Sequence, residues 1–139
     1  MIFLDTNVVS ETLKKSPDPS VVAWLVRHDA ELALPTVTIA EISYGIFKIR
    51  PDQRADRLEV GLSEWRHRFA SRIFGLTEAA AIVYGEIMGV ASLQGQSMSV
   101  PDGMIAAIAR VNGGRLATRN IRDFRTAQLD VISPWNFRP

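Results

Sequence analysis

Four acidic side chains lie at positions suited to binding a divalent cation: Asp5, Glu41, Asp102 and Asp123. Asp5 directly follows the apolar run at 2–4, whose length and boundaries predict a buried strand. Carboxylates gathered in one crevice repel one another, and burial strengthens the repulsion, so such a cluster requires protons or a cation. A hard ion such as Mg²⁺ prefers oxygen ligands, polarises phosphoryl oxygens and lowers the pKa of bound water. The acids therefore indicate metal-assisted chemistry at a phosphate group.

Short apolar strands and helices alternate along the chain and would position these acids. Strands are predicted at 2–4, 31–34, 72–76, 116–118 and 131–132, and helices at 8–13, 18–27, 39–49, 53–70, 79–93 and 103–111. Such alternation is typical of an α/β fold whose parallel sheet is covered on both faces. Glu41 and Asp102 are each expected in the first turn of a helix. In a right-handed parallel topology the element ends that carry the acids face one side.

Apolar side chains at helical spacing mark the faces that should be buried. The helix at 18–27 is predicted to bury Val22, Trp24, Leu25 and Val26. The helix at 39–49 carries its apolar stripe at Ile39, Ile42, Ile46 and Phe47. A third stripe, which is either core or partner interface, consists of Leu58, Leu62, Trp65 and Phe69.

Composition excludes several classes of protein. The chain of 139 residues suits one domain, expected to span 1–139, and its 47% hydrophobic and 22% charged residues are typical of a globular protein. It contains no cysteine, which excludes disulfides, zinc thiolates and thiol catalysis. A net charge of +1 provides no global attraction to nucleic acid or membrane. We find no membrane span or signal peptide and expect a cytoplasmic location.

Each acid also has a purely structural interpretation, which the sequence leaves open. Asp5 is a good N-cap for a following helix. Thr38 and Glu41 have the spacing of a capping box, in which the acid bonds back to the cap residue. The same spacing recurs at Ser99 and Asp102, and a turn position suits Asp123.

Five short segments form an ordered series along nearly the whole chain. They are Leu4-Asp5-Thr6-Asn7 with Ser10-Glu11, Thr38-Ile39-Ala40-Glu41-Ile42 with Gly45, Pro101-Asp102-Gly103-Met104-Ile105-Ala106-Ala107, Ala117-Thr118-Arg119-Asn120 with Asp123-Phe124, and Ile132-Ser133-Pro134-Trp135. One such segment alone is a weak signal, but five in family order and spacing are specific. On these segments the chain resembles the PIN-domain ribonuclease toxins of the VapC family, in its FitB-like branch, from type II toxin–antitoxin systems.

The resemblance implies a three-layer α/β/α sandwich with a central, mostly parallel sheet. It implies a metal-dependent endoribonuclease in which Mg²⁺, with Mn²⁺ as a substitute, activates a water that hydrolyses RNA, such as tRNA, rRNA or mRNA. It also implies a cognate VapB-like antitoxin that blocks the enzyme. Two toxin copies would pair and assemble further with the antitoxin, and promoter DNA would be bound only through that antitoxin.

The resemblance also assigns roles to individual residues. Asp5 and Asp102 would bind the metal directly, while Glu41 and Asp123 would complete the metal site or position water. Many relatives carry an acid where this chain has Asn120, which leaves Asp123 as the nearby carboxylate. All four acids are therefore candidate catalytic and metal-binding residues. Thr6 and Asn7 would orient Asp5 without contacting the metal themselves.

The turn around the fourth acid supplies candidates for substrate binding. The guanidinium groups of Arg119, Arg122 and Arg125 flank this turn and could hold phosphates beside the acids. An ordinary exposed turn is an equally open interpretation. Most contacts to RNA are made to its phosphate backbone, and arginines on such a turn could provide them. Asn120 and Thr118 complete the substrate-binding candidates and would give hydrogen-bonding support.

A partner surface is predicted from the apolar stripes. The pair Val22 and Leu25 and the stripe from Leu58 to Phe69 carry more large apolar side chains than the core needs. An amphipathic antitoxin helix laid in a groove between these two helices would bury them.

Two other functions stay open at this point. Asp5 at a strand end also suits a phosphorylated or nucleophilic aspartate, but such sites need a second acid two residues later or a late lysine. Position 7 is Asn, and the lysines are Lys14, Lys15 and Lys48. Acid-labile phosphorylation of Asp5 would identify that class. A binding module without chemistry is supported by Asn120 in place of an acid, and a metal titration would identify it.

Overall fold

A five-stranded parallel sheet forms the centre of the computed structural model, which describes residues 1–139. Its strands are β1 (Ile2–Leu4), β2 (Leu32–Pro35), β3 (Ile73–Phe74), β4 (Arg115–Ala117) and β5 (Val131–Ile132). Across the sheet they follow the order β3-β2-β1-β4-β5, so the first strand of the chain is the central one. β1 pairs in parallel with β4, and Leu4 lies opposite Ala117. The carboxyl ends of these two strands therefore lie side by side.

Successive side chains of the central strand enter two separate apolar clusters. Ile2 and Leu4 belong to one cluster, whereas Phe3 between them belongs to the other. This follows from the period of two along a strand, which sends alternate side chains to opposite faces. The ring of Phe3 meets the ring of Phe74 edge to face at 5.3 Å. Both faces of the sheet are thus apolar, as a parallel sheet covered on both sides requires.

Helices cover both faces, which confirms the three-layer α/β/α sandwich. The buried side chains of α1 to α4 join the cluster of Ile2 and Leu4, and those of α6 join the cluster of Phe3, together with Ala80 and Ile87 of α5. None of these helices combines the length and apolar character that spanning a bilayer requires. Their bounds are α1 (Thr6–Thr12), α2 (Pro19–Arg27), α3 (Thr36–Ile49), α4 (Arg54–Arg68), α5 (Glu78–Leu93) and α6 (Val100–Val111).

The start of α3 differs from the sequence prediction. The helix begins at Thr36, directly after β2, rather than at Ile39. Thr38 therefore lies inside the helix, where its fully buried hydroxyl donates to the Leu4 carbonyl at 2.8 Å. The N-cap position is Pro35, which makes no side-chain cap. The predicted capping box of Thr38 and Glu41 is consequently wrong, and so is the placement of Glu41 in the first turn.

Three side chains that were predicted to be buried are exposed. In α2 the buried side chains are Val21, Trp24 and Leu25, whereas Val22 and Val26 are 42% and 73% exposed. Phe47 of α3 is 67% exposed. Helical spacing alone cannot separate a core stripe from an apolar stripe that faces outward. The exposed valines leave an apolar surface on α2.

Candidate active site

The candidate site lies where the two central strands end. Asp5 follows β1 and Thr118 follows β4, and the Asp5 N–H donates to the Ala117 carbonyl at 2.9 Å. This bond continues the pairing of β1 with β4 and brings residues 113 positions apart in sequence into contact. The crevice outside the carboxyl ends of parallel strands is the usual ligand site of such sheets.

The carboxylate of Asp5 is 4% exposed and is held by three hydrogen-bond donors. Its Oδ2 accepts from the Thr118 hydroxyl at 2.7 Å and from the Asn7 side-chain amide at 3.2 Å. Its Oδ1 accepts from the Thr6 N–H at 2.8 Å, so Asp5 is also the N-cap of α1. The capping role and a ligand role are therefore compatible. A buried carboxylate needs such donors, since desolvation without them is costly.

Thr118 supports this carboxylate. Its side chain is fully buried, and its Oγ accepts from the Asn120 N–H at 3.1 Å while its hydroxyl donates to Asp5. The hydrogen-bonding support that was predicted for Thr118 goes to Asp5, and its part in substrate binding stays a prediction. Asn120 itself is exposed, and its backbone braces Thr118.

Glu41 reaches the site from the second turn of α3. The Thr6 hydroxyl donates a short hydrogen bond to Glu41 Oε1. Because Thr6 also gives its N–H to Asp5, a single residue connects the two acids. This contact replaces the capping box that the spacing suggested.

Asp102 lies in the first turn of α6, as its position after a proline predicts. Ser99 is the N-cap, and its Oγ accepts from the Asp102 N–H at 3.2 Å. Burial raises the pKa of Asp102 to about 6, and the negative charge of Asp5 adds to the shift. The charges of Glu41 and Asp123 raise this pKa further, so the other three acids all lie within electrostatic reach of Asp102.

The pKa of Asp5 is also raised, chiefly by burial. The hydrogen bonds from Thr118, Thr6 and Asn7 oppose this rise because they stabilise the charged form. Repulsion from Glu41 acts in the same direction as burial. Asp5 is thus a buried carboxyl and Asp102 a half-buried one, and the negative charge of Asp5 disfavours the charged form of Asp102.

The donor set fits Mg²⁺ as an open site rather than a closed cage. No three acidic or histidine side chains lie close enough together to enclose an ion by themselves. Mg²⁺ ordinarily takes one or two protein carboxylates and keeps several waters, which phosphate oxygens can replace. Asp5 and Asp102 offer such a pair of hard oxygen donors, and their mutual repulsion is what a divalent cation would relieve.

The arginines of the fourth-acid turn are not equivalent. The Arg119 N–H donates to Asn7 Oδ1 at 3.1 Å, and its guanidinium lies over the Trp135 ring. Arg122 and Arg125 are exposed and make no ion pair. Asp123 lies in the short 3₁₀ turn Ile121–Phe124 and is partly buried.

One buried acid near the site has no role in the sequence prediction. Glu11 is 5% exposed, pairs with Lys14 at 2.8 Å and accepts from the Asp18 N–H at 2.9 Å. The hydrogen bond from Lys14 lowers the pKa of Glu11. The Glu11 side chain thereby links the loop after α1 to that helix. Its position three residues after buried Val8, on the same helical face, is the sequence signal that could have revealed it.

Comparison with known proteins shows the same fold and a close sequence relationship. Residues 2–128 match the PIN domain family. The chain is 36% identical to VapC ribonuclease Y4jK of Sinorhizobium fredii, over 97% of this chain and 98% of that protein. It is 35% identical to toxin FitB of Neisseria gonorrhoeae, over 98% of this chain and 99% of that protein. A solved structure of FitAB bound to an IR36 DNA fragment superposes with a TM-score of 0.87 at 33% identity, covering 100% of this chain and 99% of that one.

Thr118→Val should weaken both the fold and the acidic site. The substitution removes one of the three donors to the buried Asp5 carboxylate, which should lower the free energy of unfolding by about 1–3 kcal/mol. Loss of such a supporting hydrogen bond should also weaken metal binding by about 10–100-fold. Urea unfolding and calorimetric Mg²⁺ titration would measure the two effects. Thr126→Val is the matched control, because the Thr126 hydroxyl is buried without a partner. Equal stability of both variants would contradict this account.

The contribution of Asp102 to stability without divalent ions should fall as pH rises from about 4 to about 6. The folded state holds the Asp102 proton up to a pKa of about 6, whereas the unfolded state releases it near the ordinary value of 3.8. Between these values the folded state binds more protons, so raising the pH favours unfolding. Asp102→Asn should flatten this slope in melting curves recorded with chelator. Asp130→Asn, at an exposed acid before β5, should keep it.

Proposed function

Because the chain belongs to the PIN-domain family, we propose that it is the toxin of a toxin–antitoxin pair and acts as a Mg²⁺-dependent endoribonuclease. Relatives named as a VapC ribonuclease and as toxin FitB support the proposal. The observation that carries it is the pair of Asp5, which is buried, and Asp102, which is half-buried, because the charged form of each is disfavoured unless a cation lies nearby. The protein would encounter its RNA substrate and its antitoxin in the cytoplasm.

In this mechanism the chain holds the metal and orients what surrounds it. Mg²⁺ bound there, or Mn²⁺ in its place, would polarise a phosphate oxygen of the RNA and lower the pKa of a bound water. Asp5 and Asp102 would be its protein ligands. Thr118, Asn7 and Thr6 keep the Asp5 oxygens fixed, so no reorganisation is needed when the ion binds.

The remaining acids would handle the attacking water. Glu41, held by the Thr6 hydroxyl, and Asp123, in its turn, would complete the metal site or accept a proton from water. Arg119 and Arg122, with the exposed Asn120, would bind RNA phosphates beside the acids. These local positive charges allow a chain of net charge +1 to bind RNA.

The antitoxin would occupy a groove between α2 and α4. This groove has a volume of about 620 Å³ and does not include the acids. An amphipathic helix, which presents both apolar and charged side chains, fits a surface lined by both kinds. The exposure of Val22 and Val26 is explained if a partner covers them. Its apolar lining includes Val22, Leu25, Val26, Val60, Trp65 and Phe69, and its charged lining includes Lys14, Asp29, Arg57, Glu64 and Arg68.

Higher assembly is part of the same proposal. Tyr44 and Phe47 are both 67% exposed on α3, and this aromatic surface would suit pairing with a second copy. The DNA in the FitAB structure supports promoter binding by a toxin–antitoxin complex. In this chain the antitoxin would supply the DNA contacts.

Asp5→Asn and Asp102→Asn should each lower RNA cleavage by about a hundredfold or more, since residues that merely support a metal already account for 10–100-fold. Cleavage of a radiolabelled RNA would be measured with Mg²⁺, with Mn²⁺ and with chelator, which should abolish it. Asp130→Asn is the control with the same loss of charge. Cleavage at the wild-type rate in both site variants would contradict the assignment of Asp5 and Asp102 as metal ligands. Metal binding without RNA cleavage would favour the binding module without chemistry. Acid-labile phosphorylation of Asp5 would favour an enzyme with a phosphorylated or nucleophilic aspartate.

Charged side chains in the groove should abolish antitoxin binding without affecting catalysis. Val26→Glu with Val60→Glu places two carboxylates in the apolar lining of the groove. The tagged wild-type chain, purified from its native host, should retain a small protein that inhibits cleavage, and the double variant should lose it. Leu93→Glu, at a 90% exposed side chain outside the groove, is the control. Retention of the inhibitor by the double variant would place the antitoxin elsewhere.

A further inference from the structure

The side chain of Arg119 lies on an aromatic ring near the acidic site. Its guanidinium carbon is 5.1 Å from the centroid of the Trp135 ring. Trp135 is partly buried and packs against the apolar cluster that includes Leu4. A cation over the face of a tryptophan is attracted by the electron-rich ring, and tryptophan is the strongest aromatic partner. Trp135 therefore holds a positive charge in place without neutralising it.

The backbone of Arg119 is tied to the acids at the same time. Its N–H donates to Asn7 Oδ1 at 3.1 Å, and the amide nitrogen of the same Asn7 donates to Asp5 Oδ2 at 3.2 Å. One side chain thus sets the spacing between the arginine backbone and the carboxylate. Arg119 is consequently held at both ends, by Asn7 at its backbone and by Trp135 at its guanidinium.

The other arginines of this turn lack such support. All three arginines are exposed, but Arg122 and Arg125 lie over no aromatic ring. Ordering a long, free side chain on binding costs conformational entropy, which a side chain that is already held does not lose again. Arg119 is therefore the arginine best prepared to bind an anion beside the acids.

An aromatic ring suits this position better than a carboxylate would. A guanidinium stacked on a ring keeps the N–H donors at its edge free, and phosphate oxygens accept from those donors. A salt bridge would occupy the same donors. A free arginine would also be attracted towards Asp5 and Asp102, where it would compete with a metal ion.

We propose that Trp135 is a positioning residue, which orients Arg119 to bind an RNA phosphate next to the acidic site. The inference rests on the proposed ribonuclease function, and it adds a role for the C-terminal segment of the chain. Trp135 acts through Arg119 and does not itself contact the reacting atoms.

A double-mutant cycle tests this coupling. Binding of a fluorescein-labelled single-stranded RNA would be followed by anisotropy in chelator at several salt concentrations. Arg119→Ala should weaken binding about tenfold and reduce the salt slope by about 0.7, the value for one phosphate contact on a single strand. Trp135→Leu should weaken binding about two- to fivefold. In the Trp135→Leu background, Arg119→Ala should have a clearly smaller effect, whereas purely structural roles would give independent effects.

The controls separate charge, ring and chemistry. Arg115→Ala removes the same charge from an exposed arginine at the opposite end of β4 and should leave binding unchanged. Trp135→Phe keeps an aromatic face and should restore most of the affinity. In cleavage assays Trp135→Leu should raise KM while kcat is kept. Wild-type affinity and KM in Trp135→Leu, or fully multiplicative effects in the cycle, would overturn the proposal.

A second measurement covers the case in which Trp135→Leu does not fold. Saturating RNA should shift the tryptophan emission of the wild type and of Arg115→Ala, but not that of Arg119→Ala. Equal shifts in all three proteins would overturn the proposal. Binding in chelator does not depend on cleavage, so failure of the wild type to cut RNA with Mg²⁺ would reject the ribonuclease function separately.

Discussion

The buried carboxylate of Asp5 is the constraint on which the rest of the site depends. A carboxylate that is 4% exposed is tolerated only where donors surround it, and here they come from both the start of α1 and the end of β4. Pairing of β1 with β4 brings Thr118 to Asp5, so the hydrogen-bond ladder of the sheet also builds the site. The strand that begins the chain lies at the centre of the sheet, where its end is most enclosed.

The other acids reach this point from both layers of helices. Glu41 lies on α3, whose buried residues Ile42 and Ile46 pack on one face of the sheet, and Asp102 lies on α6 on the other face. The negative charges of these acids come close together only at the edge of the sheet formed by the carboxyl ends of its strands. Burial, together with the repulsion that results, raises the pKa of Asp102 to about 6. A site of this kind is stable at neutral pH when a cation offsets the charge.

Two surfaces of different chemistry therefore coexist on one small chain. The site is acidic, with Arg119 held at its side by Asn7 and Trp135. The groove between α2 and α4 has a mixed apolar and charged lining and does not include the four site acids. The near-neutral net charge of +1 does not reveal the local concentration of acids at the site. This separation lets a groove partner and the proposed substrate be recognised by different forces.

The sequence by itself determined the fold class, the strand preceding Asp5 and the positions of Asp5 and Asp102 at element ends, because periodicity and turn residues act locally. It also carried the PIN-domain resemblance, which the family match confirms. Tertiary structure alone decided that Thr38 bonds to Leu4, that Thr6 rather than a capping box holds Glu41, and that Val22 and Val26 face outward. It alone placed Arg119 on Trp135. Each of these contacts depends on packing between elements distant in sequence, and local spacing contains no information about such distances.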